Sequence, residues 1–320
     1  MRIKESSEKM DRIKVVFMGT PDFAVPVLEE LIKVTDVCLV VTQPDKEVGR
    51  HHEISFSPIK KVALNHDIKV FQPSKIRIDN EVIMNEKPDL IVTCAYGQII
   101  PEKILNLPRL GCVNVHASLL PKLRGGAPIH RSIINGDDKT GITIMYMDKS
   151  MDTGDIISQR ECPILDTDNV GILHDKLSKI GAELLMDTLP SIVNGTNDRI
   201  KQNNDEATYA YNISREDEHI DFNDLAINVY NKVRGLNPWP VAYTIINGEE
   251  VKVLDCYISE EDSVFSSGTI CCIDKGKFGI CAKDKVVYIK TVKPSGKRQM
   301  DINDYINGIR REDVLNTICE

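Results

Sequence analysis

"IKVVFMGTPDFAVPVLEELIKVTDVCLVVTQ", residues 13 to 43, decides the fold. Its first part, IKVVFMG (13–19), is an apolar, β-branched run without polar alternation, the signature of a strand covered on both faces. DFAVPVLEELIK (22–33) then places apolar residues at helical spacing behind Asp22, a candidate cap. DVCLVVTQ (36–43) returns to a buried strand, so the stretch is one strand–helix–strand unit. The alternation continues through helical candidates SPIKKVALNH (57–66) and NEVIMNEK (80–87) and strands KVFQ (69–72) and DLIVTCAYG (89–97). Such a pattern predicts an α/β fold: a doubly wound, mostly parallel sheet with helices on both faces. Ligands of that architecture bind beyond the carboxyl ends of the strands.

At 320 residues, 42% apolar and 28% charged, the chain is long enough for about two domains. The formal net charge of -8 excludes a protein that coats nucleic acid without selectivity, which needs many cations. The nine cysteines are scattered, odd in number and free of C-x-x-C pairs. They read as buried thiols of a reducing cytoplasm, and no metal site is expected. The N-terminal residues 1–11 are charged and lack an apolar core, so neither a secretion signal nor a membrane anchor is expected there, only a disordered tail. The turn after the first strand has a single glycine, Gly19, and no G-x-G-x-x-G, which argues against a dinucleotide-dependent oxidoreductase.

The expected division is a catalytic domain over 12–195, a polar linker at 196–207 (TNDRIKQNNDEA) and a second domain over 208–320. In the second domain a helix ends at Gly235, a Pro-Trp-Pro turn follows, and short strands with Gly and Asn-Gly turns suggest a small β-barrel. Trp239 in that turn is expected to anchor the helix to the barrel. Residues 274–298 hold eight cations, among them Lys293, Lys297 and Arg298, against only Asp274 and Asp284. A strip of that kind is either a solvated face or a track for a phosphate backbone. The connection QPDKEVGRHHEISFSP (43–58) is longer than usual and carries Lys46 and Arg50.

In "CVNVHASLLP", residues 112–121, Asn114 and His116 are two apart in a strand and therefore share one face. A second strand, TGITIMYMD (140–148), leads into a loop in which Asp152 and Asp155 flank Thr153-Gly154. A carboxylate beside an imidazole favours its protonated form and fixes its orientation. Asn, His and Asp together suit oxyanion stabilisation and proton movement and include no strong nucleophile, which implies direct transfer between two bound substrates. By spacing alone, a strand-end His and a loop Asp are more often structural groups than catalysts.

The runs VNVHASLLPKLRGGAPIHRSIINGD and GITIMYMDKSMDTGDI closely resemble the signature region of the 10-formyltetrahydrofolate-dependent formyltransferases. VVFMGTPDFAVPVLEEL, VTQPDKEVGR, IVTCAYGQIIP and VRGLNPWPVAYT, in order, resemble the branch of that family acting on methionyl initiator tRNA. The resemblance implies formyl transfer to the α-amino group of the esterified methionine; apart from it, a cytoplasmic monomer with no membrane partner is expected. It implies a catalytic triplet of Asn114, His116 and Asp152, with folate held by the Ser118, Leu119, Leu120 and Pro121 loop. It assigns tRNA contacts to Arg50 and Lys46 in the inserted loop and, on an OB-like C-terminal barrel, to Lys293, Lys297 and Arg298. The inserted loop departs from the family pattern at Glu47 and at His51-His52. The alternative acceptor is a sugar amine or another small amine, served by the same triplet.

Overall fold

The computed structural model describes residues 13–48 and 53–319. They form two compact units of interleaved segments: residues up to 128, 140–163 and 174–211 in one, and 129–139, 164–173 and 212 onward in the other. In chain order the elements of the first half are β1 (Lys14–Gly19), α1 (Val25–Val34), β2 (Asp36–Val41), β3 (Lys46–Val48), β4 (Glu53–Ser55) and α2 (Pro58–Asn65). Then come β5 (Val70–Phe71), α3 (Glu81–Glu86), β6 (Leu90–Cys94), α4 (Glu102–Leu105), β7 (Cys112–His116), α5 (Pro128–Ile134), β8 (Lys139–Tyr146), β9 (Ile156–Pro163) and α6 (Val170–Asn194).

The first unit is built on a seven-stranded sheet in the order β5-β2-β1-β6-β7-β8-β9. β5, β2, β1, β6 and β7 run parallel, and β8 lies antiparallel to β7. The parallel strands are apolar on both faces because helices cover both. All five residues of β6 are buried, and so are Val15 to Gly19 of β1. Burial of whole Val, Ile, Leu and Phe side chains at roughly 1.5–3 kcal/mol each drives this packing. Local signals set the helix ends. Ser57 accepts the Lys60 amide at 3.1 Å and Pro58 opens α2. Asn169 accepts the Ile172 amide ahead of the body of α6, and Gly195, at φ +67, follows its last residue. Asp22 does not cap α1; it heads a 3-10 turn, Asp22–Ala24, and its carboxylate accepts the neighbouring Phe23 amide. The long 43–58 connection contains the antiparallel pair β3–β4, and its residues 49–52, Arg50 included, lie outside the described residues.

The second unit contains α7 (Ala226–Gly235), β10 (Tyr243–Ile246), β11 (Glu249–Asp262), β12 (Ile270–Asp274), β13 (Lys277–Cys281), β14 (Lys285–Pro294), β15 (Met300–Asp301), α8 (Ile302–Asn307) and α9 (Arg311–Val314). Its six strands pair antiparallel in the order β10-β11-β14-β13-β12, with β15 on β14. β11 shifts register three times against β14, the bulging that bends a long strand in a small barrel. The core is Val229 and Val233 of α7 with Val251, Val253, Phe278, Ile280, Val287 and Ile289.

Packing explains the two early segments in this unit. A Cβ on Gly235 would lie 2.7 Å from Ile134 Cγ1, so only glycine lets α7 approach that close. Arg234 donates to the carbonyls of Leu165 and Asp168, and Tyr230 donates to that of Asp166. Trp239 is 42% exposed, and its ring stands edge-on to His130 at 6.2 Å. No helix among the described residues is long and apolar enough to cross a membrane.

Candidate active site

The parallel order brings the ends of β6 and β7 side by side, with Thr93 registered on Asn114 and, across β7, Thr143 of β8 on His116. Thr93 Oγ1 donates to Asn114 Oδ1 at 2.8 Å. That bond orients the amide and leaves Asn114 Nδ2 without a partner among the described residues. His116 is 5% exposed, and its Nε2 lies 3.1 Å from the Leu123 carbonyl. A carbonyl only accepts, so Nε2 carries a proton, and Nδ1 is the nitrogen left for proton exchange. Asp152 Oδ2 lies 3.8 Å from that Nδ1, beyond a direct hydrogen bond, and accepts the Gly125 amide at 2.8 Å. His116 and Asp152 therefore meet at the carboxyl end of β7, and Asn114, two residues before His116, projects from the same face of the strand.

Two residues of this site hold strained backbones: Leu123 at φ +58 and Asp152 at φ +55. A left-handed conformation in a non-glycine residue persists where neighbours over-determine it. The loop Ser118–Pro121 is stapled from beneath. Thr143 Oγ1 donates to the Ser118 carbonyl at 2.6 Å and accepts the Leu120 amide at 3.1 Å. Gln159 Nε2 bridges Thr143 Oγ1 and the Leu120 carbonyl, both at 2.9 Å. Ser118 is fully buried and its hydroxyl donates to the Lys122 carbonyl at 2.6 Å, which leaves it shaping the turn and not acting as a nucleophile.

The nearby thiols are equally unsuited to covalent chemistry. Burial pushes Cys112 up to about 12 and raises Cys94 as well, whereas a thiolate nucleophile needs a lowered value. Beyond β6, Tyr96 is 4% exposed, burial pushes its phenol to about 12, and its hydroxyl has no partner among the described residues. Sequence reasoning missed Tyr96, along with Thr93, Thr143 and Gln159. The last three are supports whose importance comes from register across strands, which a linear pattern does not carry.

The cations expected to meet tRNA are exposed where the structure describes them. Lys46 lies on β3, Lys293 on β14, and Lys297 and Arg298 in the turn after it, none with an ion pair among the described residues. Other members of the strip are engaged: Lys285 with Glu260 at 3.3 Å and Lys290 with Asp255 at 3.4 Å.

An α/β sheet unit followed by an antiparallel barrel unit is the organisation of a formyl transferase. Residues 11–189 match the formyl transferase family model and residues 212–310 match that family's C-terminal domain. The chain is 50% identical over 300 residues, 93% of its length and 96% of the relative's, to the methionyl-tRNA formyltransferase of Staphylococcus epidermidis. It belongs to the methionyl-tRNA formyltransferase family. Solved structures at lower identity share the fold. WlaRD, a sugar 3N-formyl transferase, superposes with a TM-score of 0.65 at 23% identity, over 89% of this chain and 99% of that one. HypX from Aquifex aeolicus, solved with tetrahydrofolic acid, gives 0.65 at 17% identity over 96% of this chain, which spans 49% of HypX.

Proposed function

We propose that this chain transfers the formyl group of 10-formyltetrahydrofolate to the α-amino group of methionine esterified to initiator tRNA. The observation that carries the reading is the convergence of Asn114, His116 and Asp152 without an activated nucleophile beside them. The amine nitrogen attacks the formyl carbon directly, forming the new C–N bond and a tetrahedral oxyanion. Asn114 Nδ2, a donor with no partner among the described residues, hydrogen-bonds that oxyanion. His116 Nδ1 takes the proton lost by the amine, and the imidazolium so formed is held by Asp152. When the bond to the folate nitrogen breaks, the proton returns to the leaving nitrogen through the same pair and water. Nε2 keeps its hydrogen bond to the Leu123 carbonyl throughout and holds the ring in place.

The rigid Ser118–Pro121 loop holds the folate, and Lys46, Arg50, Lys293, Lys297 and Arg298 contact tRNA phosphates. Specific tRNA binding by an acidic chain requires such local clusters, and their contribution weakens as salt rises. The protein works as a cytoplasmic monomer on two soluble substrates. The test is formyl transfer by the purified chain and by Asp152→Asn, in which kcat is expected to fall at least about a hundredfold. Transfer at the unsubstituted rate by Asp152→Asn would overturn the assignment.

A further inference from the structure

The segment expected to be a plain linker touches the strained parts of the site from outside, and one of its side chains ties two of them together. Gln202 Nε2 donates to two carbonyls of the Asp152 loop, those of Asp152 and Gly154, each at 2.8 Å. Its Oε1 accepts from Arg124 Nε at 3.0 Å and from Arg124 Nη2 at 2.7 Å. Arg124 is 2% exposed and has no carboxylate partner among the described residues; its second neutral acceptor is Asn204 Oδ1 at 2.9 Å. A buried guanidinium held only by neutral amides keeps a desolvation cost that no opposite charge offsets.

Arg124 stands between the two residues through which the 123–125 loop reaches the triplet. Leu123 on one side gives its carbonyl to His116, and Gly125 on the other gives its amide to Asp152. The backbone repeats the grip. Thr208 Oγ1 accepts the Leu123 amide at 2.9 Å, the Thr208 carbonyl accepts the Arg124 amide at 2.9 Å, and the Ala210 amide donates to the Arg124 carbonyl at 2.7 Å. A Cβ on Gly125 would meet the Ala210 carbonyl at 2.7 Å, so the two strands of chain are as close as backbone allows.

We infer that Gln202 is a positioning residue: through Arg124 and the Asp152 carbonyl it holds the Asp152 carboxylate at its distance from His116. This rests on the catalytic reading of Asp152. Gln202→Glu breaks the clasp, because the side chain keeps its size and its acceptors for Arg124 but loses the two N–H groups and sets a carboxylate oxygen against the Asp152 and Gly154 carbonyls. The loop then loosens by a fraction of an ångström, and a misplacement of about 1 Å at a reacting group costs roughly a hundredfold. A role confined to stability would lower the melting temperature and multiply with any other defect.

The experiment is single-turnover formyl transfer with 10-formyltetrahydrofolate and methionyl-tRNA by the wild type, Gln202→Glu, Asp152→Asn and the double variant, with KM and thermal unfolding measured for each. The expected result is a fall in rate of about ten- to a hundredfold for Gln202→Glu at unchanged KM. In the Asp152→Asn background the same substitution costs less than about twofold, because nothing remains to position. Losses that multiply across the two substitutions, or an unchanged rate in Gln202→Glu, overturn the inference. Full activity in Asp152→Asn instead identifies the catalytic reading as the failed premise and removes the inference with it. If Gln202→Glu does not fold, Gln202→Met, uncharged and of similar volume, is read in the same cycle with the same criteria.

Discussion

Replacing Gly154 by alanine should slow formyl transfer roughly a hundredfold while leaving a folded protein. The added Cβ would stand 1.9 Å from the Tyr146 carbonyl oxygen and 3.4 Å from Met145 Cε. The first contact is backbone, at the end of β8, so no rotamer change relieves it. Restoring van der Waals separation needs a displacement of about 1.5 Å in a close-packed region. Gly154 is two residues from Asp152, and its carbonyl is one of the two that Gln202 clasps. The displacement therefore passes into the carboxylate that sits 3.8 Å from His116 Nδ1. At the sensitivity expected of a positioned catalytic group, kcat falls roughly a hundredfold. Overpacking costs about 1–3 kcal/mol of stability, a loss of several degrees in melting temperature that leaves the chain folded at 25 °C. The assay is steady-state formyl transfer alongside thermal unfolding, with Gly195→Ala as control. Gly195 has nothing within 4 Å of the added Cβ but lies at φ +67, so alanine there strains the backbone by a comparable amount without touching the site. A Gly154→Ala protein with kcat within twofold of the original would refute the link from loop position to chemistry.

Thr143→Val keeps shape but strands the Ser118 carbonyl and the Leu120 amide, at about 1–3 kcal/mol for each buried group left unpaired, so KM for 10-formyltetrahydrofolate should rise at least about tenfold in titrations of that substrate. The Arg131 guanidinium beside Asp217, in bidentate contact at 2.8 and 3.1 Å, holds that carboxyl down at about 2. A depressed folded-state value gives stability that is full above the ordinary carboxylate range and is lost as pH falls from about 4 toward 2. Arg131→Met should therefore cost about 1–2 kcal/mol at neutral pH, discounted for the partial exposure of the pair, and little below pH 2, as read by urea unfolding across that range.

The fold was legible where burial leaves an unbroken apolar signature. β1, β2 and β6 lie where their runs predict, because strands covered on both faces need no polar alternation. Helix α2 lies within the stretch 57–66 read as helical, opened by Ser57-Pro58, residues whose chemistry is local. Less legible were elements whose reason is distant. α5 joins the second unit because Gly235, a hundred positions on, admits Ile134. The polar composition of 196–207 suggests a solvated linker, yet Ile200 exchanges backbone hydrogen bonds with Ile156 and Gln202 reaches Asp152. Of the site, Asn114 and His116 could be joined from the two-residue period of a strand, and Asp152 through resemblance to a family. Their supports, Thr93, Thr143, Gln159 and Arg124, became visible only with the strand register.

The most direct test of the account is radiolabelled formyl transfer from 10-formyltetrahydrofolate, offered in parallel to initiator methionyl-tRNA, elongator methionyl-tRNA and free methionine. The account predicts label on the initiator species, with at most a small fraction on the elongator species and none on free methionine. Failure to label any of the three by a chain that still binds the folate would contradict it and point to a different amine as acceptor.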